Sequence, residues 1–288
     1  MEFLRDAIPI TVCVFVVSSM LGVGLTVALE QIVAPLRNAR LVALALLANF
    51  VLMPLVAVAI VRVLRVDQSL RIGLLLLGTC AGSPFLPKLA KAANSNVAFA
   101  AGVMMMLVVV TAGVLPFMAP LLLAGVSVTP AKVAHTLVLL MLLPLGAGLG
   151  LNACSKVAAA RIAPSLNKIS TISIVAMAAL MLITNLRNIM DLFGKRGILA
   201  SILLLLAGSA IGWFLGGEEN GVREVLSLGT AQRNISASLV VAERDLMDAK
   251  AAAMVAIAAL IGLALLFSLA RLLARRGPGS KTNPEVSS

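Results

Sequence analysis

LLGTCAGSPFLP, residues 76–87, interrupts a run of apolar residues that is long enough to cross a membrane. In lipid every backbone N–H and C=O needs a partner within the protein, so irregular backbone is tolerated only where it faces protein or water. Pro84 and Pro87 each remove a helical hydrogen bond and clash with the preceding turn. The segment therefore predicts a broken or strongly kinked helix near residues 83–87.

LGTAQRNISAS, residues 228–238, is a second interrupted stretch and begins with the same Leu-Gly-Thr as residues 77–79. It places Gln232, Arg233 and Asn234 near the middle of an apolar segment, where an arginine costs roughly 2.5–3.5 kcal/mol on insertion scales. Three consecutive polar residues point in three directions around a helix, which favours local unwinding. Two simpler interpretations stay open: close helix packing through small residues in the first stretch, and an Arg233 side chain that reaches the membrane surface in the second.

The composition predicts an all-α polytopic membrane protein. Hydrophobic residues make up 61% of the 288 residues and charged residues 12%, against about 25% charged residues in soluble domains. The charges lie between apolar runs of about 20 residues, the length that spans a bilayer as a helix. The net charge of +11 is therefore interpreted as loop charge that sets topology, and neither nucleic acid nor a metal cluster is expected as a partner.

The apolar runs predict about nine transmembrane helices, and no connection is long enough to hold a soluble domain. The predicted spans are residues 7–28, 39–62, 70–93, 96–124, 133–153, 169–186, 196–216, 223–243 and 249–273. Paired broken helices in corresponding places of two halves indicate the binding site of a secondary transporter. Residues 1–124 are predicted to form a first inverted repeat of four spans and residues 125–276 a second of five. The tail, residues 277–288, is predicted to be disordered.

The distribution of basic residues gives a weak prediction of orientation. Ten Lys and Arg lie in loops on the side of the N-terminus and twelve on the opposite side. By the positive-inside rule this favours a cytoplasmic C-terminus in the inner membrane.

Three motifs in this order resemble the bile acid:sodium symporter family. They are NFVLMP at residues 49–54, GTCAGSPFLPKLAKAANSNVAFA at 78–100 and LGTAQRNISASLVVA at 228–242. The resemblance covers residues 18–270 and implies two inverted repeats, divided into a panel domain and a core domain, with two crossing discontinuous helices. The first helix of the ten-helix family fold would be absent here.

The resemblance also implies an organic anion and sodium ions bound at the two crossing breaks. The expected substrate-binding residues are Gly82, Ser83, Arg233, Asn234 and Ser236, since half-helix N-termini attract anions. The residues matched to the sodium sites are Asn49, Thr79, Ser83, Thr230 and Gln232.

The sodium sites are where this sequence departs from the family pattern. The family's carboxylate in the second break has no counterpart, because residues 229–231 are Gly-Thr-Ala. We therefore expect weak sodium binding and hypothesise that the Arg233 guanidinium either replaces a bound sodium ion or pairs with the substrate carboxylate.

The predicted function is secondary active transport of a small organic anion, coupled to sodium as the family implies. The alternative is a sodium-independent or proton-linked carrier in which Arg233 replaces sodium. An antiporter would need acidic residues inside the spans, and the aspartates fall between them. An enzyme would need a nucleophile with a base or a metal, and His135 and the three cysteines form no such group, so no catalytic residue is predicted. A channel would need a filter-like repeat, and a purely structural protein would not need two broken spans.

Overall fold

The computed structural model describes residues 2–28, 30, 38–123, 126, 128–184, 196–217 and 221–276, and these residues form helices and their connections, with no strand among them. The predicted boundary between the two halves, at residues 124–125, and the predicted disordered tail, residues 277–288, lie outside the described residues. The helices, in chain order, are α1 (Glu2–Thr26), α2 (Ala39–Leu64), α3 (Gln68–Thr79), α4 (Leu86–Ala92), α5 (Val97–Leu122), α6 (Pro130–Cys154), α7 (Lys156–Thr184), α8 (Gly197–Leu215), α9 (Val222–Ala231), α10 (Ile235–Val240) and α11 (Ala249–Arg276).

Six of these helices are long and apolar enough to cross a membrane: α1, α2, α5, α6, α8 and α11. The other predicted spans correspond to α3 with α4, to α7, and to α9 with α10. Breaks divide the first and the last of these into pieces shorter than a span. The all-helical prediction is confirmed for the described residues, and the number nine and the inverted repeats stay predictions.

In the part of the chain that the structure describes, three π-helical turns interrupt the regular hydrogen bonding. They lie at Ala48–Leu52 in α2, at Val138–Leu142 in α6 and at Val241–Asp245 after α10. In α2 and α6 a proline, Pro54 or Pro144, follows the π turn within two residues. Since proline has no N–H, the helix before it has to rearrange its bonds.

The first break is displaced from its predicted position. The irregular backbone covers residues 80–85, and Pro87 lies in the first turn of α4. The predicted broken helix is therefore present, but its predicted bounds, near residues 83–87, were wrong. A proline in the first turn is compatible with a helix, because the N–H that it lacks has no helical partner there. The second break, at residues 232–234, falls on the three polar residues as predicted.

The predicted loop at residues 154–168 was also wrong, because α7 begins at Lys156. Ala159 and Ala163 are buried in a cluster with Leu25 of α1, and Leu166 packs against them. These positions recur at the spacing of one helix face. The charges of this segment occupy the other faces of the helix.

α1 packs against both α6 and α7. Gly24 and Gly148 allow this close approach: a Cβ at Gly24 would lie 2.4 Å from the Leu145 carbonyl oxygen, and one at Gly148 would lie 2.5 Å from that of Leu21. α3 packs against α2 and α11, and α8 packs against α9. The division into panel and core domains stays a prediction.

Candidate functional site at the two helix breaks

The first break is held against α5. The Thr111 hydroxyl accepts a hydrogen bond from the Ala81 N–H at 3.0 Å and donates one to the Ala81 carbonyl, also at 3.0 Å. Gly82 has a φ of +80°, and a Cβ there would lie 2.4 Å from the Val108 nitrogen. Glycine is required both by this backbone conformation and by the close approach.

The two breaks bind one another through hydrogen bonds. The Asn234 N–H donates to the Cys80 carbonyl at 3.0 Å, and the Asn234 side-chain amide donates to the Ala81 carbonyl at 3.2 Å. The Gln232 amide donates to the Ser83 hydroxyl oxygen at 3.3 Å. Backbone groups that the helices leave unpaired thus find partners in the opposite break, as burial in a membrane requires.

Asn234 also caps the half-helix that follows it. Its side-chain oxygen accepts from the Ala237 N–H at 3.1 Å, which is the usual role of asparagine at a helix N-terminus. Both polar ends of the side chain are therefore engaged within the protein. The hydroxyl of Ser236, in the first turn of α10, is buried and has no hydrogen-bond partner among the described residues.

Arg233 lies at the second break in a cage of carbonyl oxygens. Its side chain is 2% exposed. Nε donates to the Leu77 carbonyl at 2.7 Å, Nη1 to Asn49 Oδ1 at 2.6 Å and the Thr230 carbonyl at 3.0 Å, and Nη2 to the Gly78 carbonyl at 2.8 Å and the Asn49 carbonyl at 3.5 Å. These bonds match the five N–H groups of a guanidinium. Every acceptor is a neutral carbonyl or amide oxygen.

The cage follows from where three helices end or deform. Leu77 and Gly78 lie in the last turn of α3, and Thr230 lies in the last turn of α9. The last carbonyls of a helix have no helical partner and form the negative end of the helix dipole. Asn49 lies on the π turn of α2, and its amide donates to the Ala45 carbonyl at 3.0 Å, which directs Oδ1 to Arg233.

A cavity of about 290 Å³ begins where the first break joins α4. α1 and α7 form one wall, and α4, α5 and the end of the first break form the other. Its lining residues include Ser19 and Thr26 of α1, Pro84 of the break, Met104 of α5 and Asn167 of α7.

The cavity is lined mainly by hydroxyl, amide and apolar groups. Among the described residues that line it, Lys88 is the only charged one. Its ammonium lies 5.2 Å from the centre of the Phe85 ring, a cation–π distance. The described residues that line the cavity therefore supply one positive charge and no carboxylate.

Asp245, by contrast, lies at the end of the π turn that follows α10, between predicted spans. It is half-buried, and burial raises the pKa of its carboxyl group above the ordinary value. The Thr136 hydroxyl donates to its Oδ1 at 2.9 Å. Asp245 neither pairs with Arg233 nor lines the cavity.

The sequence pattern of the sodium bile acid symporter family matches residues 12–192, which is more than half of the chain. The chain belongs to the sodium bile acid symporter family. No curated protein matches the sequence. The family match includes the first break and the cavity residues but ends before the second break.

As a member of the sodium bile acid symporter family, the chain is an integral multi-pass membrane transporter. Residues matched to the family's sodium sites already have partners in this structure. Asn49 Oδ1 and the Thr230 carbonyl accept from Arg233, and the Thr79 hydroxyl donates to carbonyls of its own helix. The Ser83 hydroxyl accepts from the Gln232 amide.

The sequence-predicted substrate residues and the cavity do not coincide. Gly82, Ser83, Arg233, Asn234 and Ser236 are buried together at the breaks, and none of them lines the cavity. The lining of the cavity includes Pro84, the residue that follows Ser83. The predicted residues therefore form the structure behind the cavity.

Sequence reasoning missed the polar side chains of the cavity walls. Ser19, Val23 and Thr26 recur at the spacing of one helix face, and so do Asn167, Ser170 and Thr171. This periodicity is the sequence feature that could have indicated a polar helix face on each wall. In α7 the pattern was not evident, because the predicted loop at residues 154–168 includes Asn167.

Proposed function

We propose that this protein is a secondary transporter that carries a small organic anion through the cavity beside the first break. The observation that carries the proposal is a cavity with one ammonium group, several hydroxyl groups and no lining carboxylate, in a chain of a transporter family. We further propose that it works in the inner membrane with its C-terminus in the cytoplasm. The orientation is supported by the distribution of basic residues.

The size of the cavity favours a small substrate. Ligand pockets usually measure about 300–1,000 Å³, and a cavity of about 290 Å³ is at the lower end of that range. A short monocarboxylate, hydroxy acid or sulfonate suits this volume better than a steroid conjugate does.

The charge of the cavity favours an anion. Lys88 supplies the positive group, and Ser170 and Asn167 supply polar groups on the opposite wall. An organic anion with a short apolar body would place its charged end near Lys88 and its body against Met104 and Val23. Alternating access would follow from movement of α1 and α7 relative to the breaks.

The family description supports sodium coupling as the first candidate for the energy source. Under this alternative, Asn49, Thr79, Ser83, Thr230 and Gln232 would hold sodium with neutral oxygens only. Sodium-independent transport is the second candidate, and the engagement of Asn49 and Thr230 by Arg233 favours it.

Uptake of radiolabelled short carboxylates and sulfonates into proteoliposomes tests the function. We expect Lys88→Gln to raise the KM of the accepted anion by up to about fivefold, because an exposed ion pair contributes up to about 1 kcal/mol. Lys91→Gln is the matched control, since Lys91 is exposed on the same helix α4 and does not line the cavity.

Saturable uptake with a KM that rises only in the Lys88 variant supports the proposal. Absence of uptake for every anion, with protein that unfolds cooperatively, contradicts the assignment to organic anions. Equal KM values for Lys88→Gln and Lys91→Gln contradict the proposal that the anion binds in this cavity.

A further inference from the structure

Carbonyl oxygens from three separate segments converge on one buried point between the breaks. The five acceptors are the carbonyls of Leu77, Gly78, Thr230 and Asn49 and the side-chain oxygen of Asn49, each 2.6–3.5 Å from a guanidinium nitrogen. The C-terminal ends of α3 and α9 both contribute. A point surrounded by neutral oxygens and two negative helix ends is a site for one positive charge.

Secondary transporters use this kind of arrangement for coupling ions. Unwound backbone carbonyls and the C-terminal ends of half-helices coordinate sodium, while half-helix N-termini face the anionic substrate. In this chain, the carbonyl oxygens that such an ion requires are present. The guanidinium of Arg233 occupies the point between them.

We propose that Arg233 is a built-in cation that permanently occupies the carbonyl cage, so that this carrier binds and transports no sodium ion there. Sodium binding in the occupied cage is strongly disfavoured, because all five oxygens already face the positive charge of Arg233. A second unit charge about 4 Å from the guanidinium would weaken sodium binding by about a thousandfold at an effective dielectric constant of 20.

The alternative role of Arg233, pairing with the carboxylate of the substrate, fits the contacts less well. A bidentate pair needs two free N–H groups on one edge of the guanidinium, and each of the five N–H groups has an acceptor within the protein. The side chain is buried and does not line the larger cavity. Arg233 therefore acts on the substrate through the shape of the breaks, as a positioning residue.

The built-in cation has a consequence for the transport cycle. A bound sodium ion leaves the protein when the cycle releases it, whereas the charge of Arg233 stays in place in the loaded and the empty protein. Transport then proceeds equally well in sodium, potassium or choline. This consequence rests on the proposed function, whereas the occupancy of the cage does not.

Thermal unfolding of the purified protein in sodium, potassium or choline chloride at equal ionic strength tests the cage without any substrate. We expect the Tm of the wild type to be the same in all three salts. Arg233→Ala empties a cage of five oxygens, so this variant should be less stable in choline and should regain about 5 °C or more at saturating sodium or potassium.

Arg223→Ala is the matched control. Arg223 is half-buried and precedes the same break on α9. Its Nε donates to the Trp213 carbonyl at 3.2 Å, and its guanidinium carbon lies 4.2 Å from the centre of the Trp213 ring. Its loss should lower the Tm equally in all three salts. Arg233→Lys replaces the guanidinium with a smaller cation and should remain insensitive to sodium.

A saturable, sodium-specific rise in the Tm of the wild type overturns the proposal, and this measurement does not depend on any variant folding. An Arg233→Ala protein that folds and responds to no cation also overturns it. If the cage behaves as expected and no anion is transported, the built-in cation stands and the proposed function fails.

Discussion

At the scale of single residues, two side chains complete the hydrogen bonds of the broken backbone. The Thr111 hydroxyl pairs with both polar groups of Ala81, and the Asn234 side chain donates to the Ala81 carbonyl and caps α10. The backbone N–H of Asn234 donates to the Cys80 carbonyl. Because these groups are buried, leaving one of them unpaired costs about 1–3 kcal/mol. The irregular backbone is therefore stable only because specific side chains satisfy it.

Thr111→Val should lower the stability of the protein by about 1–3 kcal/mol. Valine fills the same volume but leaves the Ala81 N–H without an acceptor, while the Ala81 carbonyl keeps its bond from Asn234. Thermal or denaturant unfolding in detergent measures the difference.

Thr79→Val provides the control, because the Thr79 hydroxyl donates to the Leu75 and Leu76 carbonyls of its own helix. One of these, the Leu76 carbonyl, keeps the Cys80 N–H as a partner at 2.9 Å. We expect a change below about 0.5 kcal/mol. Equal losses in the two variants would show that the Thr111 bonds do not hold the break.

At the scale of helices, the close contact between α1 and α6 depends on two glycines. The backbones meet where Gly24 and Gly148 face one another, and in both positions an added Cβ would contact backbone atoms of the opposite helix. Small residues permit this approach in membrane proteins, where van der Waals packing drives helix association. The wall of the cavity formed by α1 is held by this contact.

Gly24→Ala should separate α1 from α6 and lower the stability by about 1–3 kcal/mol, the usual cost of overpacking. Gly150→Ala, on the partner helix α6, is the control, because nothing lies within 4 Å of a Cβ at that position. There the alanine should leave the Tm unchanged or raise it. A Tm for Gly24→Ala that equals that of Gly150→Ala would refute the tight contact.

The sequence predicted some features of these elements better than others. The run Gln232, Arg233, Asn234 predicted the second break at the observed residues, because buried polar groups leave few alternatives to unwinding. The first break was predicted three residues late, since proline is compatible with the first turn of a helix and Gly82 does not reveal its φ of +80°. The start of α7 was missed because charged residues on the outer faces of a helix resemble a loop.

The sequence likewise predicted some features of the candidate site and not others. The sequence indicated that Arg233 lies where a sodium charge is expected, on the basis of a missing carboxylate and an added cation, and it matched Asn49 to a sodium site. It did not indicate that Leu77 and Gly78 would contribute backbone carbonyls, because main-chain acceptors leave no mark in residue type. Lys88 was assigned to loop charge, since its distance from the break depends on where α4 begins.

At the scale of the whole molecule, two groups of helices meet at the cavity. α1 with α7 forms one wall, and α4 with α5 forms the other, while the carbonyl cage lies among α2, α3 and α9. A movement of the first wall would open the cavity and leave the cage intact. The charge of Arg233 and the wall that would move in the proposed transport cycle thus belong to different parts of the molecule.

The topology makes a prediction that depends on the two broken helices crossing the membrane. Cys154, at the end of α6, is exposed, whereas Cys80 is buried and Cys13 is half-buried. In a Cys13→Ala background, a maleimide that does not cross membranes should label Cys154 in inside-out vesicles and not in intact spheroplasts. A C-terminal epitope should be accessible from the same side, because four predicted spans separate it from Cys154.

Gln68→Cys in a protein lacking Cys13 and Cys154 gives the opposite expectation. Gln68 is exposed at the start of α3, and three predicted spans, including the broken pair α3 and α4, separate it from Cys154. It should therefore be labelled in spheroplasts. If α3 and α4 together did not cross the bilayer, only two spans would separate the two cysteines and both would be labelled from one side. Labelling from opposite sides requires an odd number of membrane crossings between residue 68 and Cys154. Three spans give an odd number only if the broken helix formed by α3 and α4 crosses the membrane.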